Sequence, residues 1–402
     1  MLIEIHVLQN HAPSNLNRDD TGSPKECVFG GYKRGRISSQ CLKRTVRRSD
    51  VFRDAVGRDR LATRTRRLPE IVRERLIAGG LGREVADEAA VKASGFGTKE
   101  GKERADTLDT AQTMFLTEAD IAAVTETLRA AADGKSLAQF KAIPAKDLQA
   151  QSRSRGFRPV TVDVALFGRM TTSEAFRDVE AACQVAHALS THKVDHEFDY
   201  FTAVDDLQGQ SAEEEDAGAD MIGDVEFNSA CYYKYFSVDV DALVDNLTGR
   251  SAFRPDVPAG DAAAARELAG RAVEAMLRAV LLTTPTGKQN SFAAHQLPSL
   301  VLVEVRPART PVSYANAFVE PVRVPSKDGL DLTEASLGKM ALHVEALTAG
   351  FNLESSARLL LAPEHAQYGI GGVERVADLN ALAGRLRAAI GAAPAAPEAA
   401  HG

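Results

Sequence analysis

The chain has 402 residues, of which 44% are apolar and 26% charged, with a formal net charge of −7. This composition is ordinary for a globular protein, and the length allows one large domain with insertions or two to three smaller ones. No run is apolar and long enough for a membrane span, and the start, MLIEIHVLQN, lacks the basic region of a signal peptide. The four scattered cysteines form no C-x-x-C pair, which argues against a zinc ribbon and fits a reducing cytoplasm.

LIEIHVL (2–8) alternates, with Ile3, Ile5 and Val7 on one face and Glu4 and His6 on the other, and predicts a strand. The Asn-, Pro- and Gly-containing QNHAPSNLNRDDTGSPK predicts a loop, and ECVFGGYKRGRI a short strand or hairpin broken at Gly30 and Gly31. A helix is expected from Ser38 or Ser39 to about Ala55. From about Asp59 to Gln151 the chain reads as mostly helical, with Ile121, Val124 and Leu128 forming one apolar stripe. RPVTVDVALFGRM (158–170) predicts a strand, SEAFRDVEAACQVAHALSTH a helix, and EFDYFTAVDDLQGQSAEEEDAGAD an acidic arm. VEFNSACYYKYFSVDV predicts a strand, ARELAGRAVEAMLRAVLLTTP a helix and PSLVLVEVRP a further strand, while the tail GAAPAAPEAAHG is of low complexity. With the helical insertion set aside, this order is compatible with an α+β, split βαβ, ferredoxin-like sheet.

The charge is segregated. Arg18 to Arg67 holds 15 Lys/Arg against 6 Asp/Glu, a local net of +9, whereas Asp195 to Glu226 holds 12 Asp/Glu and no Lys or Arg. Such polarity suggests a basic ligand surface and an acidic surface able to meet a basic neighbour, another copy of the chain included. In GRISSQCLKRTVRRS, a serine offers a helix N-cap. Behind it Gln40, Lys43, Arg44 and Arg47 fall at i, i+3, i+4 and i+7 on one face. Amides, hydroxyls and cations at one helix end suit an anion, and a ladder of cations suits a polyanion. Arg18, Lys25, Lys33, Arg34 and Arg36 precede the helix and strengthen a nucleic-acid reading over a solvated basic face.

Other motifs carry less. Asp19 and Asp20 in SNLNRDD could hold a metal or form an Asx-type turn, and the turn is favoured because adjacent aspartates rarely face one ion. His192 and His196 have zinc-like spacing but no H-E-x-x-H. TTPTGKQNSF is no P-loop, since Leu282 stands where the early glycine belongs, but Lys288, Gln289 and Asn290 remain candidate phosphate or ribose contacts. No catalytic constellation is present.

Taken together, IHVLQNHAPSNLNRDD, FGGYKRGRISSQCLKR, VDVALFGRM, AHALSTHKVDHEFDYFTAVDDL and YANAF resemble the CasC backbone subunits of the type I-E CRISPR Cascade surveillance complex, in order from Ile5 to about Phe318. The resemblance implies a ferredoxin-like (RRM-like) palm with inserted helical fingers and a protruding thumb. The boundaries expected are palm 1–58, fingers 59–155, palm 156–194, acidic thumb arm 195–225, palm 226–390 and tail 391–402. It implies a non-catalytic, cofactor-free cytoplasmic protein that polymerises with other copies along CRISPR RNA beside other Cascade subunits and presents the spacer to target DNA. Ser38, Gln40, Lys43 and Arg44 match the palm helix that contacts the RNA backbone, and Arg18 and Lys25 its basic loop. Arg169 and Met170 match a segment approaching kinked nucleotides, and Tyr200 and Phe201 an aromatic pair of the thumb. The competing reading is a metal-dependent CRISPR-associated ribonuclease using Asp19 or Asp20.

Overall fold

In a computed structural model, the structure describes residues 1–154, 160–203, 221–249, 259–323 and 329–392. The chain divides into two compact units. Among the described residues, the first comprises 1–52, 185–203, 221–237, 273–323 and 329–392, and the second 53–154, 160–184, 238–249 and 259–272.

The elements begin with β1 (Leu2–Ser14), β2 (Glu26–Phe29), β3 (Tyr32–Ile37), α1 (Ser39–Arg48) and α2 (Asp50–Val56). The helical region contains β4 (Thr63–Thr65), α3 (Leu68–Ala78), α4 (Arg83–Ser94), β5 (Met114–Leu116), α5 (Glu118–Ala132), α6 (Leu137–Lys141), α7 (Ala145–Ser154) and α8 (Val162–Phe167). Then come β6 (Cys183–Val185), β7 (Ala188–Ser190), β8 (Glu197–Ala203), β9 (Met221–Asp239), α9 (Val240–Thr248), α10 (Ala259–Leu282) and α11 (Gln289–Phe292). The chain continues through β10 (Leu300–Arg306), α12 (Leu332–Gly350), β11 (Ala357–Leu361), β12 (Glu374–Arg375) and α13 (Leu379–Ala392). The fold is α+β with one large mixed sheet of order β12-β11-β10-β1-β9-β7-β3-β2, to which β6 and β8 add by pairing with β9.

β1 lies inside this sheet and is buried on both faces. It extends to Ser14, well past the expected end at residue 8, because Leu8 to Leu2 pair with Leu300 to Arg306 and the strand's second half also finds partners. Glu4 and His6 are therefore not solvated: both are fully buried. Tyr314 N donates to Tyr233 Oη (2.8 Å), which lies 2.9 Å from His6 Nδ1. His6 Nε2 faces Glu304 Oε2 at 3.4 Å. Arg306 bonds both Glu4 and Glu304, and Arg358 bonds Glu304 at 2.7 Å. Burial pushes the Glu304 carboxyl up, but His6, Arg306 and the Tyr314 hydroxyl outweigh it and hold the group at about 2. Glu4, His6 and Glu304 place ligand-type atoms within 4.8 Å of one another. Two guanidiniums already neutralise the carboxylates, so this cluster is a structural network rather than a cation site.

VDVALF (162–167) is helix α8, not a strand. Asp163 Oδ1 accepts from Thr161 Oγ1, from Ala62 N and from Val164 N, one of the first turn's free amides, and Val162 to Leu166 are buried all round rather than alternately. The stretch 173–192 is not a helix: Cys183–Val185 and Ala188–Ser190 pair with β9, so sheet hydrogen bonds override its alanine-rich helix propensity. The helix expected to reach Ala55 breaks at Ser49, whose hydroxyl donates to Val46 O and accepts from Phe52 N.

Within the second unit, Leu68, Val72, Leu76, Phe96, Val124, Leu128 and Phe140 form a separate helical core. The acidic stretch 204–220 and the tail 393–402 lie outside the described residues.

Candidate nucleic-acid interface

The basic hairpin turns at Gly30 and Gly31, with φ of +61° and +83°. This left-handed pair suits a two-residue hairpin, and Gly30 has a second constraint: a Cβ there would lie 2.1 Å from the Val319 carbonyl oxygen. The hairpin leads directly into α1. Ser38 is its N-cap, with Oγ accepting from Cys41 N at 3.3 Å, as the sequence predicts. Asn17 Oδ1 accepts from Ser38 N at 2.8 Å, and Asn17 O accepts from Lys25 N at 2.8 Å, so the basic loop is tied to the helix start.

On α1, Leu42 and Val46 face the core while Gln40, Arg44 and Arg48 are exposed and Lys43 and Arg47 half-buried. Arg36 is partly committed, its Nε donating to Glu26 O (3.2 Å) and its Nη1 to His187 Nδ1 (3.2 Å). Arg34, counted by sequence among the loop cations, is fully buried and donates to the carbonyls of Ser190, Phe318 and Val319. Lys33 is exposed and pairs with Glu26.

A cleft of about 1100 Å³ opens between this helix, the loop 16–22 and the segment 283–287. Arg18, Arg44 and Arg48 line it, as do Cys41, Thr45, Thr283, Thr284 and Thr286, with Asp19, Asp20 and Asp50 on the same walls. Gly287 allows the approach, since a Cβ there would fall 2.5 Å from the carbonyl oxygens of Asn15 and Leu16. The TGKQN motif is thereby brought beside the basic loop. Gln289 Nε2 donates to Pro285 O at 3.0 Å and braces its own turn, while Asn290 is exposed and Lys288, at φ +50°, caps the short α11. Asp19 Oδ1 accepts from Thr21 N, Thr21 Oγ1 and Ser23 N at 2.8–3.0 Å. The Thr21 hydroxyl and these amides hold its carboxyl below the usual range, which is the Asx-type turn. Sequence reasoning did not single out Arg48, although it lies four residues from Arg44, nor the threonines of 283–286, which carry no motif.

In the second unit, the guanidinium of Arg169 is buried. Its Nη1 bonds Asp120 Oδ2 (2.6 Å) and Phe115 O (3.1 Å), and its Nε bonds Arg177 O (3.1 Å). Met170, next to it, is 93% exposed. Arg169 therefore anchors the turn, and Met170 is the side chain presented.

β8 and β9 pair as a hairpin, Tyr200 opposite Asp224 and Phe201 opposite Gly223. The two aromatics point to opposite faces, as strand geometry requires. Phe201 lies on the bare backbone of Gly223, where a Cβ would meet its ring at 2.5 Å, whereas Tyr200 is 75% exposed beside exposed Phe198 and Ile222. His192 and His196 lie in no helix. His196 sits between Glu26 (3.4 Å) and Glu226 (3.3 Å), and burial and the Arg34 charge lower His192 to about 4.

The family model described as CT1975-like protein matches residues 3–383. The chain belongs to this family. A solved chain titled "CRISPR RNA-guided surveillance complex, pre-nicking" is 30% identical, with a TM-score of 0.76 over 97% of this chain and 100% of that one. A second, titled "CRISPR RNA-guided surveillance complex", is 26% identical, with a TM-score of 0.67 over 97% of this chain and 100% of that one. No curated protein sequence matches. These matches bear out the Cascade resemblance of the CT1975-like chain. Among the described residues, no helix is long and apolar enough to cross a membrane.

Proposed function

We propose that this CT1975-like protein is a non-catalytic backbone subunit of a type I-E Cascade complex in the cytoplasm, binding CRISPR RNA through its phosphodiester backbone. In this reading the large sheet is a ferredoxin-like palm, the helical unit the fingers and the β8–β9 hairpin the base of the thumb. Copies polymerise along the RNA and leave its bases free to pair with target DNA. The carrying observation is the convergence of one face of α1 (Cys41, Arg44, Thr45 and Arg48), the basic loop and the threonine-rich segment on one cleft. Backbone amides, hydroxyls and arginines recognise phosphate without reading bases, which a sheath for any spacer requires. The division of labour in which protein holds the backbone and base pairing reads sequence is described for Cas9-type effectors and is extended here by analogy.

The test is whether the purified full chain binds single-stranded RNAs of scrambled sequence with equal affinity and co-purifies from its host with RNA of one length. Strong preference for one sequence, or no RNA binding, refutes the proposal. The ribonuclease alternative needs a free loop carboxylate, and Asp19 is engaged by its own turn. Magnesium-dependent cleavage of bound RNA that is lost in an Asp19→Ala, Asp20→Ala variant would favour it.

A further inference from the structure

The cleft beside α1 is lined by both donors and acceptors. Arg18, Arg44 and Arg48 are exposed on its walls, and none of them pairs with a carboxylate among the described residues. These guanidiniums are donors only, which matches the acceptor-only oxygens of a phosphodiester. Asp20 lines the same cleft, is exposed, and its carboxylate has no partner among the described residues. The loop that carries it is braced: the Asp19 side chain accepts from Thr21 and Ser23, and Asp19 N donates to Ser23 O at 2.9 Å.

The threonines of the cleft divide in the same way. Thr45 and Thr283 donate their hydroxyl protons to Cys41 O and Ala279 O. Thr284, half-buried, and Thr286, exposed, bond no described residue through their hydroxyls. The close approach of Gly287 to the carbonyls of Asn15 and Leu16 sets this segment against the loop. A carboxylate facing a phosphate backbone only repels it. A ribose 2′-hydroxyl both donates and accepts, so it complements a carboxylate and a threonine hydroxyl, and deoxyribose lacks it. Carboxylates take ribose hydroxyls in this way in dinucleotide sites.

We propose that Asp20, with Thr284 and Thr286, reads the ribose 2′-hydroxyl of the strand held in the cleft, so that the site selects RNA over single-stranded DNA without reading bases. The inference rests on the RNA-backbone reading above. The arginines hold the phosphates of either strand. Asp20 repels both backbones, and only RNA brings the hydroxyl proton that offsets the repulsion.

The experiment is fluorescence anisotropy of the full chain, freed of nucleic acid, in EDTA at fixed ionic strength. One labelled strand of adenines and cytosines is used as RNA, as DNA and as the 2′-fluoro form, which keeps the sugar pucker of RNA but has no hydroxyl. The bases are identical in all three, so a difference in affinity lies in the sugar. The wild type is expected to bind RNA about tenfold more tightly than either other strand, the worth of one hydrogen bond to a charged group. In Asp20→Ala, DNA affinity is expected to rise as the repulsion is removed while RNA affinity does not, so the ratio falls towards one. Thr284→Val combined with Thr286→Val is expected to lower RNA affinity and spare DNA. Arg44→Ala is expected to weaken both strands alike and keep the ratio. A wild-type ratio near one overturns the proposal. So does a ratio unchanged in Asp20→Ala because both affinities rise together, which makes Asp20 a solvated charge at the rim. An RNA preference that requires magnesium in place of EDTA also overturns it, in favour of a cation bridging carboxylate and phosphate. Tight RNA binding in any of these cases leaves the RNA-backbone reading intact, whereas no binding to any strand overturns both.

Discussion

The backbone amide of Ser38 donates to the side chain of Asn17 at 2.8 Å, so one amide couples the basic loop to the helix that follows it 21 residues later. Ser38 also caps that helix, so one residue sets both the loop's position and the first turn's free amides. Asn17→Ala should cost about 1 kcal/mol of stability in urea, the usual worth of one hydrogen bond. It should also weaken RNA binding equally for all sequences. Unchanged RNA affinity would show that the loop's attachment does not shape the site.

The cations of α1 should act as phosphate contacts. Lys43→Ala or Arg44→Ala is expected to flatten the log K versus log[salt] slope by about 0.7 per lost contact to single-stranded RNA. Affinity loss that depends on base sequence, with the slope unchanged, would count against this role.

The basic helix was legible in the sequence because its signals are local: a serine cap, cations at helical spacing, and a Gly-Gly turn between short strands. The α+β class followed from the long strands and the helical block. What was not legible depends on tertiary partners. Arg34 and Arg169 look like surface cations in sequence, yet each fills a buried carbonyl or carboxylate cage built by distant residues. VTVDVALF alternates like a strand, but Asp163 serves as an N-terminal acceptor and burial on all sides makes a helix the better solution. Glu4 and His6 look solvated until β10 supplies Glu304 and Arg306.

Arg169 and Asp120 form a buried pair at 2.6 Å. Arg169→Ala removes the guanidinium paired with the buried Asp120 carboxylate and should destabilise the helical unit by about 3–5 kcal/mol. Adding Asp120→Asn should recover part of that loss in a double-mutant cycle, because the stranded charge is removed. Additive effects in thermal unfolding would show that the two do not act as a pair.

Acid should destabilise the fold through histidines buried in the neutral form. Burial lowers His11 from 6.5 to about 3 and His192 to about 4, in each case with a nearby cation adding to the effect. The unfolded chain gains these protons below pH 6.5 while the folded chain does not. Stability is therefore full above about pH 6.5 and declines as the pH falls towards 4. Each tenfold loss of proton affinity on folding corresponds to about 1.4 kcal/mol, so the two groups together are worth several kcal/mol. His11→Phe, which keeps a ring against Tyr232, should give a shallower decline of the urea midpoint between pH 6.5 and pH 4. An unchanged decline would assign the acid sensitivity to other groups.

The thumb hairpin divides its two aromatics between tasks. Phe201 covers Gly223 and holds β8 against β9, while Tyr200 stands 75% exposed on the opposite face with Phe198 and Ile222. If the hairpin displaces a base from bound RNA, Tyr200 is the better placed of the two, since stacking or wedging needs an uncovered ring and Phe201 is 41% exposed against 75% for Tyr200. Loss of such a contact is worth on the order of 1–3 kcal/mol per base. With a fluorescent base analogue placed along bound RNA, Tyr200→Ala should quench the signal at the displaced positions while leaving hairpin order intact by hydrogen exchange. Phe201→Ala should instead raise exchange across 197–203 first, with any fluorescence change following from the loosened hairpin. A full fluorescence loss in Phe201→Ala with normal exchange protection, and none in Tyr200→Ala, would reverse the assignment and make Phe201 the wedge.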